Sequence, residues 1–154
     1  MPEATIATDD PRAPDVRELL EAHLAFTRQT SPPEAVHALE ADGLSEPGVT
    51  FFSYRCDGVL LGVAALRELD PAHAEIKSMH TAAAARGQGV ARALLAHLIA
   101  VAGSRGYRRV SLETGSQDAF QAARLLYAGE GFTPCEAFGG YPPSEHSVFM
   151  TRPV

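Results

Sequence analysis

The stretch Arg86-Gly87-Gln88-Gly89-Val90-Ala91 is a glycine-rich turn between two elements of different periodicity. Residues 74–81, just before it, have the composition of a strand. After it, apolar residues recur at the helical spacing of positions 90, 94, 95, 98 and 101. A strand, a glycine turn and a helix in this order present backbone N–H groups at the positive end of a helix dipole. Such an arrangement binds phosphate groups, so the sequence predicts a phosphorylated ligand.

Three motifs with known chemistry compete for this turn. A P-loop requires Gly-Lys followed by Ser or Thr, and no such lysine is present. The dinucleotide fingerprint requires a small residue at its sixth position, where Arg92 stands. The pattern Arg-x-x-Gly-x-Ala is satisfied by Arg86, Gly89 and Ala91. A glycine N-cap on an ordinary amphipathic helix is the alternative without a ligand.

Composition limits the classes of partner. The chain has 154 residues and a net charge of −6, which predicts a single domain over residues 1–154 and disfavours nucleic acid or an anionic membrane as a partner. A small anionic ligand is still compatible with a local basic pocket. Five arginines cluster in sequence around the turn and favour such a pocket: Arg86, Arg92, Arg105, Arg108 and Arg109.

Cysteine and histidine spacing predicts no metal site. Cys56 and Cys135 form no C-x-x-C pair, and His23, His37, His73 and His97 have no metal-ligand spacing. We expect two buried, reduced thiols. Residues 1–15 are acidic without an apolar run, and the chain has no apolar stretch of about 18 residues. A cytoplasmic location is therefore expected.

Periodicity and turn signals predict eleven elements in the order β-α-α-β-β-β-α-β-α-β-β. This order predicts an α/β (α+β) fold with a mixed sheet and helices on both faces. The expected strands are 5–8, 49–55, 59–69, 74–81, 107–113, 132–138 and 147–151. The expected helices are 14–28, a short one beginning at Ser31, 88–104 and 117–129. Asp57-Gly58 predicts a tight hairpin between the second and third strands.

Several of these features together resemble the GNAT (GCN5-related) N-acetyltransferases. Arg-x-x-Gly-x-Ala is similar to the pyrophosphate-binding signature of that family. Residues 123–127, Ala-Arg-Leu-Leu-Tyr, followed by Gly131-Phe132, resemble its A-x-x-L-Y-x-x-x-G-F motif. The element order is that of the GNAT fold, whose sheet is mostly antiparallel. Residues 75–79, 111–115 and 147–150 resemble a bacterial subgroup of small acetyltransferases.

The resemblance implies acetyl-CoA as cosubstrate and no metal. It assigns acetyl-CoA binding to Met79, His80, Thr81, Arg86, Gly87, Gln88, Gly89, Val90, Ala91, Arg92, Phe120 and Tyr127. Backbone N–H groups of residues 79–81 are expected to polarise the thioester carbonyl. Two positions depart from the family pattern. Phe120 replaces a common Asn, and His80 stands where an aromatic or aliphatic residue is usual.

Candidate catalytic residues follow from acetyl transfer between a thioester and an amine. Glu75, eleven residues before Arg86, resembles the glutamate base of histone-type members, and the alternative is a structural carboxylate paired with Lys77 or an arginine. Glu113 is a second candidate base or a rim residue of the substrate pocket. Tyr127 matches the general acid of the family, and a hydrogen bond to the developing thiolate is favoured over proton transfer. Its alternative is a packed core tyrosine.

The acceptor is expected to be a small amine or an amino-acid-like molecule. Glu113 and Tyr141 are the candidate acceptor-binding residues. Direct transfer is favoured over an acetyl-cysteine intermediate on Cys135, which has no base close in sequence. A non-catalytic acetyl-CoA sensor of the same fold is the rival function, and transfer to oxygen or of longer acyl groups is a further alternative. A homodimer is possible.

Overall fold

The computed structural model describes residues 3–30 and 41–154, so the helix predicted to begin at Ser31 lies outside the described residues. The strands are β1 (Ala4–Thr8), β2 (Val49–Cys56), β3 (Val59–Asp70), β4 (His73–Thr81), β5 (Arg109–Gly115), β6 (Thr133–Cys135) and β7 (Ser147–Pro153). The helices are α1 (Pro14–Thr30), α2 (Ala41–Leu44), α3 (Val90–Ser104) and α4 (Gln121–Gly129), with 3₁₀ turns at Ala83–Ala85 and Asp118–Phe120.

A seven-stranded sheet forms the centre of the fold, in the order β1-β2-β3-β4-β5-β7-β6. Every neighbouring pair is antiparallel except β4 and β5, which are parallel. The pairing of β4 with β5 runs from His73 opposite Arg109 to Ile76 opposite Leu112. Beyond that point the two strands separate and open a cleft. The predicted mixed, mostly antiparallel sheet is confirmed.

Helices cover both faces of the sheet, as predicted. On one face α3 buries Leu94, Leu95 and Leu98 against the sheet, in a core that also includes Tyr127 of α4. On the other face α1 buries Val16 and Leu20, together with residues of α2 and β3. Full burial of one such aliphatic side chain stabilises the fold by roughly 1.5–3 kcal/mol.

A glycine sets the distance between α3 and the sheet. A Cβ atom added to Gly62 of β3 would lie 2.7 Å from a side-chain carbon of Val90. Only a residue without a side chain allows the first turn of α3 to approach β3 so closely. This contact fixes the N-terminus of α3 beside the cleft.

Some predicted boundaries were wrong by a few residues. The strand predicted at 107–113 is shifted to Arg109–Gly115, and the helix predicted from Gln88 begins at Val90, because Gly89 is its N-cap with φ 82°. The segment 117–129 divides into a 3₁₀ turn and α4. The strand predicted at 132–138 is only Thr133–Cys135. It is an edge strand containing Pro134, which has no N–H to donate.

Candidate active site

A cleft of about 750 Å³ opens where β4 and β5 separate. It is lined by the ends of these strands, the first turn of α3, the start of α4 and the second half of α1. Every residue predicted to bind acetyl-CoA lines this cleft except Gln88, whose side-chain amide donates to the carbonyl oxygen of Ala84. Glu75 and Glu113 line it as well.

The glycine turn forms the wall of the cleft at the N-terminus of α3. Gly87 and Gly89 have φ values of 77° and 82°, in the left-handed region that favours glycine. A Cβ atom added at either position would meet no atom of the described residues within 4 Å, so the turn borders open space. The first N–H groups of a helix have no intrahelical partners and face outward along its axis. These features fit a pyrophosphate group.

The basic pocket around this turn is smaller than the arginine cluster in the sequence predicted. Of the five arginines, only Arg86 and Arg92 line the cleft. Arg105 is at the opposite end of α3, where it donates to the hydroxyl of Thr50, and Arg109 donates to Thr151 at the far end of β5. A 15-residue helix separates its two ends by about 22 Å, because the rise is about 1.5 Å per residue.

Tyr127 is buried in the cleft wall formed by α4. Its hydroxyl lies 4.0 Å from the sulfur of Met79 on β4. Burial raises the pKa of Tyr127 to about 12, so the phenol is protonated at neutral pH. A protonated hydroxyl that faces only a weak acceptor can donate a hydrogen bond to a ligand atom in the cleft.

Glu75 is the centre of a buried polar cluster on the face of the sheet that α1 covers. It is 1% exposed, and its carboxylate lies 3.5 Å from Lys77 Nζ and 3.7 Å from Arg67 Nη1. The hydroxyl of Tyr141 donates to Glu75 Oε1 at 3.3 Å. The structure therefore places Glu75 both in the cleft and in ion pairs with Lys77 and Arg67.

Lys77 links this cluster to the other carboxylate and to the loop between β6 and β7. It donates to the Tyr141 hydroxyl at 2.5 Å, and its ammonium lies 4.9 Å from the centre of the Tyr141 ring. Glu113 is close enough to act electrostatically on Lys77. Burial lowers the pKa of Lys77 and raises the pKa of Tyr141. Tyr141 thus contacts the polar cluster but is not part of the cleft lining.

Two ring contacts tie α1 to the cleft, and the sequence did not predict them. The ring of His23 lies 4.9 Å from that of His80, and Phe26 packs edge-to-face on Phe120 at 5.4 Å. Burial lowers the pKa values of His23 and His80 to about 4 each. Both imidazoles are therefore neutral at pH 7. No spacing rule could have paired these residues, because each pair is more than 50 positions apart in sequence.

The cysteines do not take part in the site. Cys56 and Cys135 are free thiols, and both are half-buried rather than buried as expected. Cys135 does not line the cleft, and burial raises the pKa of its thiol. Among residues 3–30 and 41–154, no three His, Cys, Asp or Glu side chains are grouped to hold a metal ion. Within the same ranges, no helix is long and apolar enough to cross a membrane.

Comparisons with known proteins identify the family to which this fold belongs. The profile of the Acetyltransferase (GNAT) family matches residues 14–132. The chain is 46% identical over 147 residues to YsnE of Bacillus subtilis, described as an uncharacterized N-acetyltransferase, with 96% of this chain and 97% of YsnE covered. It is 32% identical over 156 residues to the IAA acetyltransferase of Azospirillum brasilense, with both chains fully covered.

A solved structure shows the same fold. The chain superposes on a protein of Klebsiella pneumoniae named "putative acyl-CoA N-acyltransferase" with a TM-score of 0.80 and 28% identity, over 97% of each chain. The chain belongs to the GNAT family of acetyltransferases. Acetyl-CoA is the cosubstrate of that family, and the glycine turn, the N-terminus of α3 and Arg86 would hold its pyrophosphate.

Proposed function

We propose that this protein transfers the acetyl group of acetyl-CoA directly to the amine of a small or amino-acid-like molecule. One observation carries the proposal. A single cleft brings together the glycine turn at the N-terminus of α3, the buried hydroxyl of Tyr127 and the carboxylates of Glu75 and Glu113. These are the groups that thioester aminolysis requires: an anchor for the phosphates, a donor for the leaving sulfur and a proton acceptor.

The reaction balances without any other cofactor. The amine lone pair forms a bond to the thioester carbonyl carbon, the C–S bond breaks, and the electron pair leaves on sulfur. A carboxylate receives the amine proton, directly or through water, because an alkyl ammonium with a pKa near 10.4 has no lone pair for attack. Glu75 and Glu113 both belong to the cleft, and Lys77 lies between them in the electrostatic network.

Tyr127 stabilises the leaving thiolate as a hydrogen-bond donor. A CoA-like thiol has a pKa near 8.5, whereas the pKa of Tyr127 is about 12. Complete proton transfer from the phenol would therefore be uphill by roughly 5 kcal/mol, since one pKa unit corresponds to about 1.4 kcal/mol. A hydrogen bond stabilises the thiolate without this cost.

A small acceptor suits the limited volume of the cleft. The second half of α1 lines one side of the cleft, where His23 contacts His80 and Phe26 contacts Phe120. The relative named IAA acetyltransferase also supports a small-molecule acceptor.

Two experiments test this function, first ligand binding and then turnover. Thermal unfolding is measured with acetyl-CoA, ATP and NAD, since a ligand at 100 times its Kd stabilises by about 2.7 kcal/mol. A shift with acetyl-CoA alone is expected. A panel of amines and amino acids is then screened for acetylated product by mass spectrometry, with Glu75→Gln, Glu113→Gln and Tyr127→Phe as comparison variants. The absence of any shift with acetyl-CoA would refute the proposal.

A non-catalytic acetyl-CoA sensor is the second candidate function. It is favoured by the contacts of Glu75 with Arg67, Lys77 and Tyr141, which also suit a purely structural carboxylate. A sensor would bind acetyl-CoA normally and form no product with any acceptor. If the wild type forms product and Glu75→Gln or Tyr127→Phe does not, with acetyl-CoA binding retained, the protein is an enzyme and not a sensor.

A further inference from the structure

Ser78 occupies an irregular position on β4, in the lining of the cleft. In the pairing of β3 with β4, Ala65 lies opposite Lys77 and Val63 lies opposite His80. Two residues of β4, Ser78 and Met79, therefore share the space opposite one residue of β3, which defines a bulge. Ser78 has φ 55°, a left-handed conformation that side-chain-bearing residues adopt at a cost.

The hydroxyl of Ser78 is buried without a protein partner. Ser78 is 9% exposed, and its Oγ has no hydrogen-bond partner within residues 3–30 and 41–154. Ser78 nevertheless lines the cleft. A buried hydroxyl without a hydrogen bond costs stability, so a strained backbone and an unsatisfied donor at one residue indicate a group reserved for a ligand.

The chain neighbours of Ser78 place it between the carboxylate of Glu75 and the hydroxyl of Tyr127. Lys77 belongs to the polar cluster around Glu75, on the side where a proton acceptor is available. Met79, on the other side, contacts the hydroxyl of Tyr127, which faces the leaving sulfur in the proposed function. The carbonyl carbon is bonded to that sulfur and is attacked from the side of the carboxylates. A donor between these groups would be placed to reach the carbonyl oxygen.

We propose that the Ser78 hydroxyl donates a hydrogen bond to the carbonyl oxygen of the acetyl thioester. The inference rests on the proposed function, because it requires acetyl-CoA in the cleft. When the amine attacks, the carbonyl π electrons move to oxygen, and they return when the C–S bond breaks. The hydroxyl keeps its proton and strengthens its hydrogen bond while the oxygen is negative.

A comparison of two CoA ligands of similar size isolates the contribution of the thioester carbonyl oxygen to binding. S-ethyl-CoA has nearly the size of acetyl-CoA but lacks the thioester carbonyl oxygen. Isothermal titration calorimetry of the wild type is expected to show tighter binding of acetyl-CoA than of S-ethyl-CoA. In Ser78→Ala this preference should fall by about three- to tenfold, the range of one neutral hydrogen bond, with S-ethyl-CoA binding unchanged.

A matched serine and a second variant complete the experiment. Ser53 is also buried, at 4% exposure, but its Oγ donates to Asp9 at 2.5 Å outside the cleft. Ser53→Ala should therefore lose thermal stability and keep the ligand preference. Ser78→Ala should keep its stability, because no protein hydrogen bond is lost. Ser78→Gly, which also relieves the strain at φ 55°, tests the same preference if the alanine variant folds poorly.

The possible outcomes separate this inference from the proposed function. An unchanged ligand preference in Ser78→Ala or Ser78→Gly overturns the role of Ser78 while wild-type acetyl-CoA binding still supports the function. An equal loss of affinity for both CoA ligands also overturns it, because the hydroxyl would then serve the arm of CoA and not the carbonyl. Failure of the wild type to bind acetyl-CoA refutes both.

Discussion

The hydroxyl of Tyr127 on α4 lies 4.0 Å from the sulfur of Met79 on β4, across the cleft that the two elements line. A thioether is a weak hydrogen-bond acceptor, so this contact contributes little to the stability of the fold. The donor is thus held in place by burial and by its edge-to-face packing on Phe132 at 6.0 Å. It is available for a stronger acceptor, such as a thiolate.

Replacement of Tyr127 by Phe tests this relationship. We expect kcat to fall about 100-fold, the effect of losing one donor to a developing negative charge. The Kd of acetyl-CoA and the melting temperature should hardly change, because only a weak sulfur contact is lost. Steady-state kinetics, calorimetry and thermal unfolding measure the three quantities. A full kcat in Tyr127→Phe would assign Tyr127 to core packing alone.

The ion pair of Glu75 with Lys77 should contribute to stability only as a pair. Both side chains are almost fully buried, at 1% and 5% exposure. Lys77→Met leaves a buried carboxylate short of one cation, and a loss of about 3 kcal/mol is expected. The double variant Lys77→Met/Glu75→Gln should recover most of it. Urea unfolding of the wild type, Lys77→Met, Glu75→Gln and the double variant gives the coupling energy. Strictly additive losses of stability would contradict the prediction.

The contact of His23 with His80 should make the folded state sensitive to acid. Burial lowers both pKa values from 6.5 to about 4, so the unfolded chain binds more protons than the folded chain between these pH values. The two histidines therefore make the free energy of unfolding rise with pH from about 4 to 6.5, and above this range their contribution is level. Protonation of His80 is also opposed by the positive charge of Arg86.

Variants of the two histidines measure this effect. His23→Phe should reduce the acid loss of stability between pH 7 and 4.5 by about 2 kcal/mol, and His80→Phe should reduce it by less, because His80 is less buried. Urea unfolding at several pH values measures the difference between variant and wild type. That difference separates the histidines from Asp9 and Asp15, whose lowered pKa values affect stability at a lower pH in all proteins alike. Parallel pH curves for variants and wild type would show that the histidines do not titrate as described.

Substitutions at Gly89 separate the effect of backbone strain from the effect of charge at the N-terminus of α3, where the pyrophosphate of acetyl-CoA is expected to bind. Gly89→Ala and Gly89→Glu impose the same strain, of about 1 kcal/mol, because φ is 82° in the native turn. Only the glutamate brings a negative charge to the site of the pyrophosphate. We expect Gly89→Glu to weaken acetyl-CoA binding at least tenfold more than Gly89→Ala, as measured by calorimetry.

Gly106, beyond the other end of α3, provides the control for this comparison. Its φ is 87°, and an added Cβ would meet no described atom within 4 Å. Gly106→Ala should therefore lose stability like Gly89→Ala and bind acetyl-CoA normally. Equal binding by Gly89→Glu and Gly89→Ala would show that the N-terminus of α3 does not hold the pyrophosphate.

The sequence by itself predicted most of the described elements, the family and the part of the cleft lining next to the glycine turn, because these depend on local order. Helical and strand periodicity, the glycines at 87 and 89 and the motif ending at Phe132 are each contained in a short segment of chain. Residues at the end of β4 and in the first turn of α3 line the cleft because the glycine turn joins these two elements. The boundaries were less accurate, since capping and edge-strand geometry end an element within a few residues.

The tertiary structure decided which distant side chains share an environment. It placed Glu75 in contact with Arg67, Lys77 and Tyr141. It also brought His23 next to His80. Arg105 and Arg109 lie outside the cleft lining, away from the N-terminus of α3. The tertiary structure also left the hydroxyl of Ser78 buried on a bulge, with no hydrogen-bond partner among the described residues. Burial and long-range contacts produce these features, and both arise only when residues far apart in the sequence pack against one another.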